Sequence, residues 1–504
     1  MNIKIYLLLF LFTASISACD MTVEPSDAIT TGSLINTPDG LKNALNGAYA
    51  LFKDHVTFNG TQNDNNMYLR QYYQLADFAS DDIVCGQVTE DPLFYSFTQD
   101  HTPTQENTRY YWYISYKIIN NVNTIINAVE QSADLDAPTQ QLLGECYFLR
   151  ALTNLNLVRF FAKPYSIDPQ APGIILRTEL TEDTRKARST VAEVYDAIIT
   201  DAEHGASLMN TPRGVEYASK EAAWALLSRI YLYHDQPEKC TENADKVINS
   251  GRFQLETTES YPNLFANAKN GKETIFCVAF SNLDNYGKFG SIASMIYSDG
   301  NSGWGEEFAS ASLRALMQQH PEDVRWSYIE ASKDESGNLR KLNGIEIYYI
   351  RKFSFQDGDP NLSSPILLRL AEVYLNKAEA QAKLGQNEAA LNALDEIRQN
   401  RGLEGALYNG RLPSGTSILD AVLNERRLEL AFEGHRNYDL IRNKRDVIRP
   451  YWGYHLRGLK ETDINPAAIP SNYANRDIPW NSTRTIYYLP VDEVLSNPDV
   501  IQNP

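Results

Sequence analysis

Apolar residues recur at the spacing of an α-helix along much of the chain. Leu41, Leu45, Ala48 and Phe52 are four, three and four residues apart, which places them on one helix face. Thr37-Pro38-Asp39 precedes them and supplies a cap, a proline in the first turn and an early negative charge. The pattern predicts a mainly α-helical fold, with further helices near residues 109–131, 138–162, 190–208, 217–234, 237–250, 365–384, 386–400 and 417–433.

Two pairs of these predicted helices share a side-chain pattern at an offset of 150 residues. The pattern resembles the tetratricopeptide repeat, in which small residues let two antiparallel helices approach closely. Gln381 departs from it, because the repeat has tyrosine there. Two ordinary helical hairpins that match by chance are the alternative. The matched residues are Trp224, Ser228, Tyr231, Cys240, Ala244 and Val247 in one pair and Tyr374, Ala378, Gln381, Ala390, Leu394 and Ile397 in the other.

Loop-forming residues and aromatic residues are concentrated between the helical blocks. Thr274–Phe280 predicts a buried strand, and Asn343-Gly344 predicts a two-residue hairpin turn. Because long loops in a compact protein are usually functional, we predict one domain, 37–504, in which a helical scaffold carries a loop-rich ligand face. The scaffold is expected at about 37–53, 109–255 and 365–445, and the ligand face at about 54–108, 256–364 and 451–489.

The N-terminus has the features of a targeting signal. An apolar run at 5–12 follows a single lysine and precedes small residues, as in a secretory signal too short to span a membrane. Cys19, directly after a small-residue triplet, resembles a bacterial lipobox. We therefore predict a signal peptide at 1–18, a lipidated flexible tether at 19–36 and attachment to outer-membrane lipid through Cys19. A plain signal peptide with a nearby cysteine is the alternative.

The charge balance excludes one class of ligand. The chain has 46 Lys and Arg against 64 Asp and Glu, a net charge of −18 at pH 7. Nucleic-acid binding needs a Lys/Arg surface, so no nucleic-acid partner is expected.

The sequence contains no convincing catalytic or metal-binding motif. It lacks HExxH, GxSxG and GxGxxG, and none of its seven His residues lies four residues from another. No CxxC motif occurs, and Cys85, Cys146, Cys240 and Cys277 are expected to be buried thiols, with a disulfide as the alternative. No cofactor is predicted, although the oxygen-rich stretch Asn63–Asn66 leaves a structural calcium ion open.

Two kinds of charged cluster are predicted to be structural. The acidic pairs Asp81-Asp82 and Glu306-Glu307 have the residue type that glycoside hydrolysis uses, but that chemistry depends on their separation in space. In Asn424–Arg442, glutamates at i, i+4 repel each other, and Arg426 and Arg427 are expected to offset this by pairing with them.

A series of short motifs spans almost the whole mature chain in one order. Together they resemble the SusD/RagB family of outer-membrane nutrient-binding lipoproteins, which is typical of Bacteroidetes. The resemblance implies a helical scaffold with tetratricopeptide-like pairs, a glycan ligand bound without conversion, and a SusC-like TonB-dependent transporter as partner. The motifs include Gly40-Leu41, Asn120–Asn123, Gly144–Leu152, Phe160–Tyr165, Leu368–Tyr374, Asn424–Arg442 and Tyr488-Leu489-Pro490.

Some positions are similar to the ligand contacts of glycan-binding members, namely Arg70, Tyr286 and Trp304. An aromatic ring covers the C–H face of a sugar, and arginine donates hydrogen bonds to its hydroxyls. Starch-binding relatives have an aromatic residue where this chain has Gln87, so starch itself is not implied. Phe94 and Tyr95 on the same loop are the expected substitutes. Core packing for the rings and an ion pair for Arg70 are the alternatives.

Three other functions stay open on the residues alone. A peptide ligand on the same fold would need a groove with hydrogen-bonding backbone edges. A lipid-anchored hydrolase would need two carboxylates about 5–9.5 Å apart in a cleft. A pure scaffold would use its repeats to hold a partner.

Overall fold

The computed structural model describes residues 37–88, 94–130, 135–180, 185–456, 469, 473 and 475–504. The predicted signal peptide, Cys19 and the tether lie outside the described residues. The described part is mainly helical, as predicted. Its helices are α1 (Pro38–Ala50), α2 (Tyr68–Asp77), α3 (Phe94–Thr98), α4 (Glu106–Glu130), α5 (Ala137–Phe161), α6 (Val191–Leu208), α7 (Lys220–Tyr233), α8 (Pro237–Asn249), α9 (Gly287–Gly290), α10 (Ala311–Met317), α11 (Leu370–Lys383), α12 (Asn387–Gln399), α13 (Ile418–Leu430), α14 (Arg436–Arg442) and α15 (Val491–Ser496).

Side-chain caps fix where α1 and α6 begin. The Thr37 hydroxyl accepts a hydrogen bond from the Gly40 amide at 3.0 Å, and Pro38 takes the first helical position, as predicted. At α6, Thr190 and Glu193 accept from each other's backbone amides in a capping box.

The helices pack mainly against their neighbours in sequence, and the two predicted repeat pairs also pack on each other. α7 pairs with α8 and α11 with α12, and α8 then packs on α11 although 120 residues separate them. The Cys240 thiol donates to the Asn376 carbonyl across this contact, with 3.4 Å between sulfur and oxygen. Ser228 and Ala378 are fully buried. The small residues therefore let these helices approach closely, as the pattern predicted.

The described strands are short and form antiparallel pairs. The pairs are β1 (Ile83–Cys85) with β3 (Glu307–Ala309), β2 (Thr274–Cys277) with β8 (Ile366–Arg369), β4 (Ile329–Ala331) with β7 (Tyr348–Ile350), β5 (Lys341–Leu342) with β6 (Ile345–Glu346), and β9 (Val447–Ile448) with β10 (Asp477–Ile478). The β2–β8 pair is buried throughout and lies beside α7, and the β1–β3 pair joins an early segment of the chain to its middle.

The predicted hairpin is present at Asn343-Gly344, between β5 and β6. Asn343 and Gly344 have φ angles of 50° and 83°, the left-handed values that a type I′ turn requires at both central positions. The helix predicted at 365–384 is shorter than expected. The residues at its predicted start form strand β8 instead, because they pair with β2. The helix therefore begins at Leu370.

Helix α2 lies inside segment 54–108, which the sequence predicted to be loop-rich. All ten of its residues are buried. Tyrosines and glutamines form much of the helix in place of aliphatic residues, and tyrosine hydroxyls bond to neighbouring helices. The Tyr68 hydroxyl, for example, accepts from Tyr111 on α4 at 2.9 Å and from Asn156 on α5 at 3.1 Å.

The charged segment at 424–442 is buried, and its pairing differs from the prediction. Glu429 is fully buried and is bound by three arginines from other elements, Arg325, Arg369 and Arg401. Arg426 and Arg427 pair instead with aspartates outside α13. The sequence spacing predicted ion pairs within one helix, but the fold places charged residues from distant parts of the chain next to these side chains.

The described cysteines Cys85, Cys146, Cys240 and Cys277 are free and buried. Their thiols therefore pack as small apolar groups, which agrees with the first of the two predictions. Within the described residues, no helix has the length and apolar character to cross a bilayer.

Candidate ligand-binding site

A cleft of about 300 Å³ opens where α2, α9 and the segment before β3 meet. It brings together two of the sequence-predicted contact residues, Arg70 and Trp304. Both polar and apolar groups face the space, which suits a ligand with apolar faces and a hydroxyl rim. The lining residues are Asn63, Asp64, Asn65, Arg70, Phe289, Met295, Trp304 and Glu306.

Trp304 supplies the most accessible apolar surface of the cleft together with Phe289. Their side chains are 46% and 50% exposed, although large aromatic residues ordinarily bury most of their surface. The Lys288 ammonium lies 5.5 Å from the centroid of the Trp304 ring. An exposed pair of rings of this kind marks a surface that a partner or ligand can cover.

The backbone around Trp304 is held by the turn that precedes it. The Trp304 amide donates to the Ser294 carbonyl at 2.7 Å, and the Glu306 amide donates to the Met295 carbonyl at 2.8 Å. Gly305 between them has a φ of 59°, and a β-carbon there would lie 2.6 Å from the Ser298 side chain. Trp304 and Glu306 therefore project from a backbone with little freedom to move.

Arg70 forms part of the cleft wall but is itself only 2% exposed. Its Nη1 donates to the backbone carbonyls of Phe289 and, at 3.0 Å, Ser291. The sequence predicted direct hydrogen bonds to a ligand. In the structure, Arg70 fixes the loop that carries Phe289, and this contact positions the ring pair.

Gln87 and Glu306 meet at the edge of the cleft. The Gln87 side-chain amide donates to Glu306 Oε1 at 3.0 Å, and the Glu306 side chain is largely buried. The family resemblance singled out Gln87 as the position where starch-binding relatives have an aromatic ring. The structure shows that this position contacts a carboxylate of the cleft.

Tyr286 lies on the same loop as Phe289 but packs away from the cleft. Its ring stacks on His55, with centroids 3.9 Å apart and planes 12° apart. Burial, followed by the positive charge of Arg70, lowers the pKa of His55 to about 4, and burial raises the pKa of Tyr286 to about 12. Both groups are therefore neutral at pH 7, and one face of Tyr286 is already covered.

Phe94 and Tyr95 begin the short helix α3, directly after residues that the structure does not describe. The Phe94 ring is partly buried against the main core, and its centroid lies 6.3 Å from that of Tyr95. Neither ring is among the described residues that line the Trp304 cleft. The structure therefore does not bring them together with the other predicted contacts.

The Asn63–Asn65 turn also lines the cleft. The Asn63 side-chain oxygen accepts from the Asn65 amide at 2.8 Å, so one of the oxygens considered for calcium is used in the turn. In the described part of the chain, no cluster of three or more His, Cys, Asp and Glu residues has metal-binding geometry. The calcium ion stays a prediction.

The acidic pair Asp81-Asp82 lies away from this cleft and is held by arginines. Asp81 binds Arg436 through two hydrogen bonds of 2.7 and 2.9 Å, and Asp82 accepts from Arg427 at 2.6 Å. Although burial raises it, the two arginines lower the pKa of Asp81 to about 2. These contacts tie the end of α2 to α13 and α14.

A second cleft, of about 360 Å³, lies between α10, α12 and α13. Arg398 and Glu425 in its wall form an ion pair of 2.7 Å, and Arg398 also stacks on Tyr408, 4.8 Å from the ring centroid. None of the sequence-predicted contact residues is among those that line it.

Comparisons with known proteins agree with this fold. Residues 233–504 match the family described as "SusD family", and residues 23–232 match the family described as "Starch-binding associating with outer membrane". The chain belongs to the SusD family. The resemblance stated from the sequence is thereby confirmed over residues 23–504.

Individual SusD-family relatives cover nearly the whole chain. The SusD-like protein P38 of Formosa agariphila is 24% identical over 515 residues, which cover 90% of this chain and 97% of that protein. A SusD superfamily protein of Bacteroides thetaiotaomicron has a TM-score of 0.80 at 27% identity and covers 93% of this chain and 100% of its own. A putative sugar binding protein of Bacteroides vulgatus has a TM-score of 0.78 at 28% identity, with coverage of 93% and 98%.

Sequence reasoning missed Phe289 and Glu306 as cleft residues. Phe289 is three residues from Tyr286, in a segment the sequence had already marked as functional, so its aromatic character was the available signal. Glu306 was considered only as half of an acidic pair. It contacts Gln87, which lies more than 200 residues away in the sequence and which no local pattern connects to it.

Proposed function

We propose that this SusD-family chain is a lipid-anchored cell-surface protein that binds a glycan and delivers it to a SusC-like TonB-dependent transporter without converting it chemically. The observation that carries the proposal is the exposed Trp304–Phe289 pair at a cleft with polar walls. The family description "Starch-binding associating with outer membrane" and the structural neighbour titled "Putative sugar binding protein" support the ligand class.

The ring pair has the chemistry that a sugar requires. Covering on the order of 100 Å² of apolar surface contributes about 2.5 kcal/mol per ring at ~25 cal/mol per Å², before the costs of ordering the ligand. The asparagines and Glu306 add hydrogen-bonding groups for hydroxyls. Two rings with a few hydrogen bonds give affinities of roughly micromolar to millimolar Kd, which allow both capture and release to a transporter.

Titration calorimetry of the chain beginning after Cys19 tests the ligand class. The panel contains neutral polysaccharides, their oligosaccharides and peptide digests. We expect saturable heat with one glycan class and at least a tenfold loss of affinity in Trp304→Ala. Trp480→Ala is the matched control. A lysine ammonium also lies over the ring of Trp480, with Lys444 Nζ 5.8 Å from the ring centroid, but Trp480 is not among the residues lining the cleft.

Two results would overturn the proposal. Binding heat with peptides but not with glycans would show that the ligand is a peptide. The absence of binding heat with every glycan, both for the chain alone and for its complex with the transporter, would show that the chain does not bind glycans.

The anchor is tested separately with Cys19→Ala in the full chain. We expect the variant to leave the membrane fraction, while Cys277→Ala, which changes a buried thiol, stays in it. Equal membrane retention of Cys19→Ala would show that the attachment does not depend on lipidation of this cysteine.

A further inference from the structure

His55 contacts both ends of the short turn that carries Phe289. Its ring stacks on Tyr286, the residue before α9, with centroids 3.9 Å apart and planes 12° apart. It also lies against Gly290, the last residue of α9, where an added β-carbon would be only 2.7 Å from His55 Cε1. Glycine permits so close an approach to its backbone because it has no side chain. The turn is therefore packed on one imidazole ring at its start and at its end.

The backbone of His55 belongs to the segment that forms another wall of the cleft, the Asn63–Asn65 turn. The Gln62 side-chain amide donates to the His55 carbonyl at 2.6 Å, and the Val56 amide donates to the Asn66 carbonyl at 3.2 Å. These two bonds join the start of the segment to its end and enclose the asparagine turn, which lines the cleft. His55 consequently links α9 to this wall.

Arg70 supports the same turn from its carbonyl groups. Its Nη1 atom donates to the carbonyls of Phe289 and, at 3.0 Å, Ser291. Two bonds to one nitrogen atom fix one point of the backbone and leave the turn free to pivot about it. The contacts of His55 lie at the two ends of the turn and remove this freedom. The direction in which Phe289 projects therefore depends on both side chains.

We infer that His55 is a positioning residue of the candidate glycan site, whose ring holds Phe289 in place beside Trp304. This inference rests on the proposed glycan-binding function and adds to it a residue that is not among those lining the cleft. A surface that is already ordered loses less entropy when it binds, so His55 should raise the affinity. Because His55 acts through Phe289, its loss should weaken binding by no more than the loss of Phe289 itself.

The first experiment needs no ligand. Hydrogen exchange of the unliganded chain, beginning after Cys19, is followed by mass spectrometry in peptides that contain the Gly290 and Ser291 amides, which donate to carbonyls within the turn. In His55→Ala these amides should exchange roughly tenfold faster, because loss of a ring contact lowers the free energy of local opening. His55→Phe keeps a planar ring and should restore most of the protection. Unchanged exchange in His55→Ala would overturn the inference.

His204→Ala is the matched control, because His204 also contacts a tyrosine ring, that of Tyr147, with centroids 4.5 Å apart. It is not among the described residues that line the cleft, so its loss should change neither the exchange of the turn nor the glycan affinity. If thermal unfolding shows that His55→Ala does not fold, Tyr286→Leu removes the other ring of the stack. The same faster exchange is then expected, and its absence would overturn the inference.

The second experiment is a double-mutant cycle on glycan affinity, measured by calorimetry with the ligand whose binding depends on Trp304. His55→Ala should weaken binding roughly two- to tenfold in the chain that retains Phe289, and His55→Phe should recover most of the loss. In a Phe289→Ala background the same change should have an effect of less than about twofold, because the ring that His55 positions is absent. Equal losses in the two backgrounds would show that His55 does not act through Phe289, and would overturn the inference.

The two experiments separate this inference from the proposed function. Faster exchange in His55→Ala with no glycan binding by the unmodified chain would contradict the proposed function, and with it the role of His55 in binding. Glycan binding by the unmodified chain with unchanged exchange in His55→Ala would contradict the inference alone. A fall in stability without a change in the exchange of the turn or in affinity would show that His55 only supports the fold, and would overturn the inference as well.

Discussion

The Phe289 ring lies 5.3 Å from the Trp304 ring, centroid to centroid, and the two planes meet at 57°. Aromatic rings favour such a tilted arrangement over a face-to-face stack. About half of each side chain remains exposed, so the pair leaves an accessible apolar surface at the cleft. Binding energy should therefore come from both rings and not from Trp304 alone.

The first prediction concerns Phe289. Phe289→Ala should weaken glycan binding about tenfold, because it removes apolar contact worth on the order of 1–2 kcal/mol. Calorimetry with the same ligand as for Trp304→Ala measures the effect. Leu283→Ala is the control, because this side chain on the same loop is 95% exposed and is not among the cleft residues. Unchanged affinity in Phe289→Ala would show that the ligand contacts Trp304 without this partner.

The scaffold was predictable because its signals are local. A cap and a 3.6-residue period define α1, and the two left-handed residues at Asn343-Gly344 define a hairpin. Helix α2 escaped prediction because tyrosines and glutamines form much of it in place of aliphatic residues, and the partners of its Tyr68 hydroxyl lie on α4 and α5. Arg70 and Trp304 were predicted from the sequence, but the contact between Gln87 and Glu306 was not, because it forms where the β1–β3 pairing brings distant parts of the chain together.

The second prediction concerns two glycines for which the same substitution has opposite effects. Gly344→Ala should lower the free energy of unfolding by about 1 kcal/mol, because its φ of 83° is unfavourable for any residue with a β-carbon. Gly47→Ala should raise it by about 0.5–1 kcal/mol, since Gly47 lies within helix α1 and a β-carbon there meets no atom within 4 Å. Urea denaturation measures both, and a shift of the same sign for the two variants would contradict this account.

The buried charges show a different limit of sequence reasoning. Spacing within α13 suggested that Glu429 would be balanced by its neighbours along the helix. In the structure its oxygens are bound by Arg369 at 2.7 Å, Arg401 at 2.8 Å and Arg325 at 3.3 Å, which lie 28 to 104 residues away. A sequence without a known fold gives no means of choosing these three among the other arginines.

The third prediction follows from this burial. Glu429→Gln should lower the free energy of unfolding by about 3–5 kcal/mol, because it leaves three buried arginines without a full counter-charge. Glu242→Gln breaks an exposed ion pair of 2.7 Å with Lys246 and should cost less than about 1 kcal/mol. Both are measured by urea denaturation at pH 7. A similar loss in the two variants would mean that the cluster around Glu429 contributes no more than a surface pair.

The fourth prediction is the pH dependence of that difference. Burial alone would raise the pKa of Glu429, but Arg401, Arg369 and Arg325 outweigh it and hold the pKa well below its ordinary value of 4.5. The unfolded chain therefore takes up a proton near pH 4.5 while the folded chain does not, so the contribution of Glu429 is fully present above that pH and is lost as the pH falls.

The stability gap between the unmodified chain and Glu429→Gln should consequently be constant from pH 7 to about 5.5 and shrink progressively below pH 4.5. Groups with the opposite shift, such as Asp77, whose pKa burial raises well above its usual range, are present in both chains and cancel in the difference. Urea denaturation of both chains at half-unit steps of pH measures the gap. A gap that widens on acidification would mean that the folded chain binds the proton first, and that the three arginines do not hold Glu429 ionised.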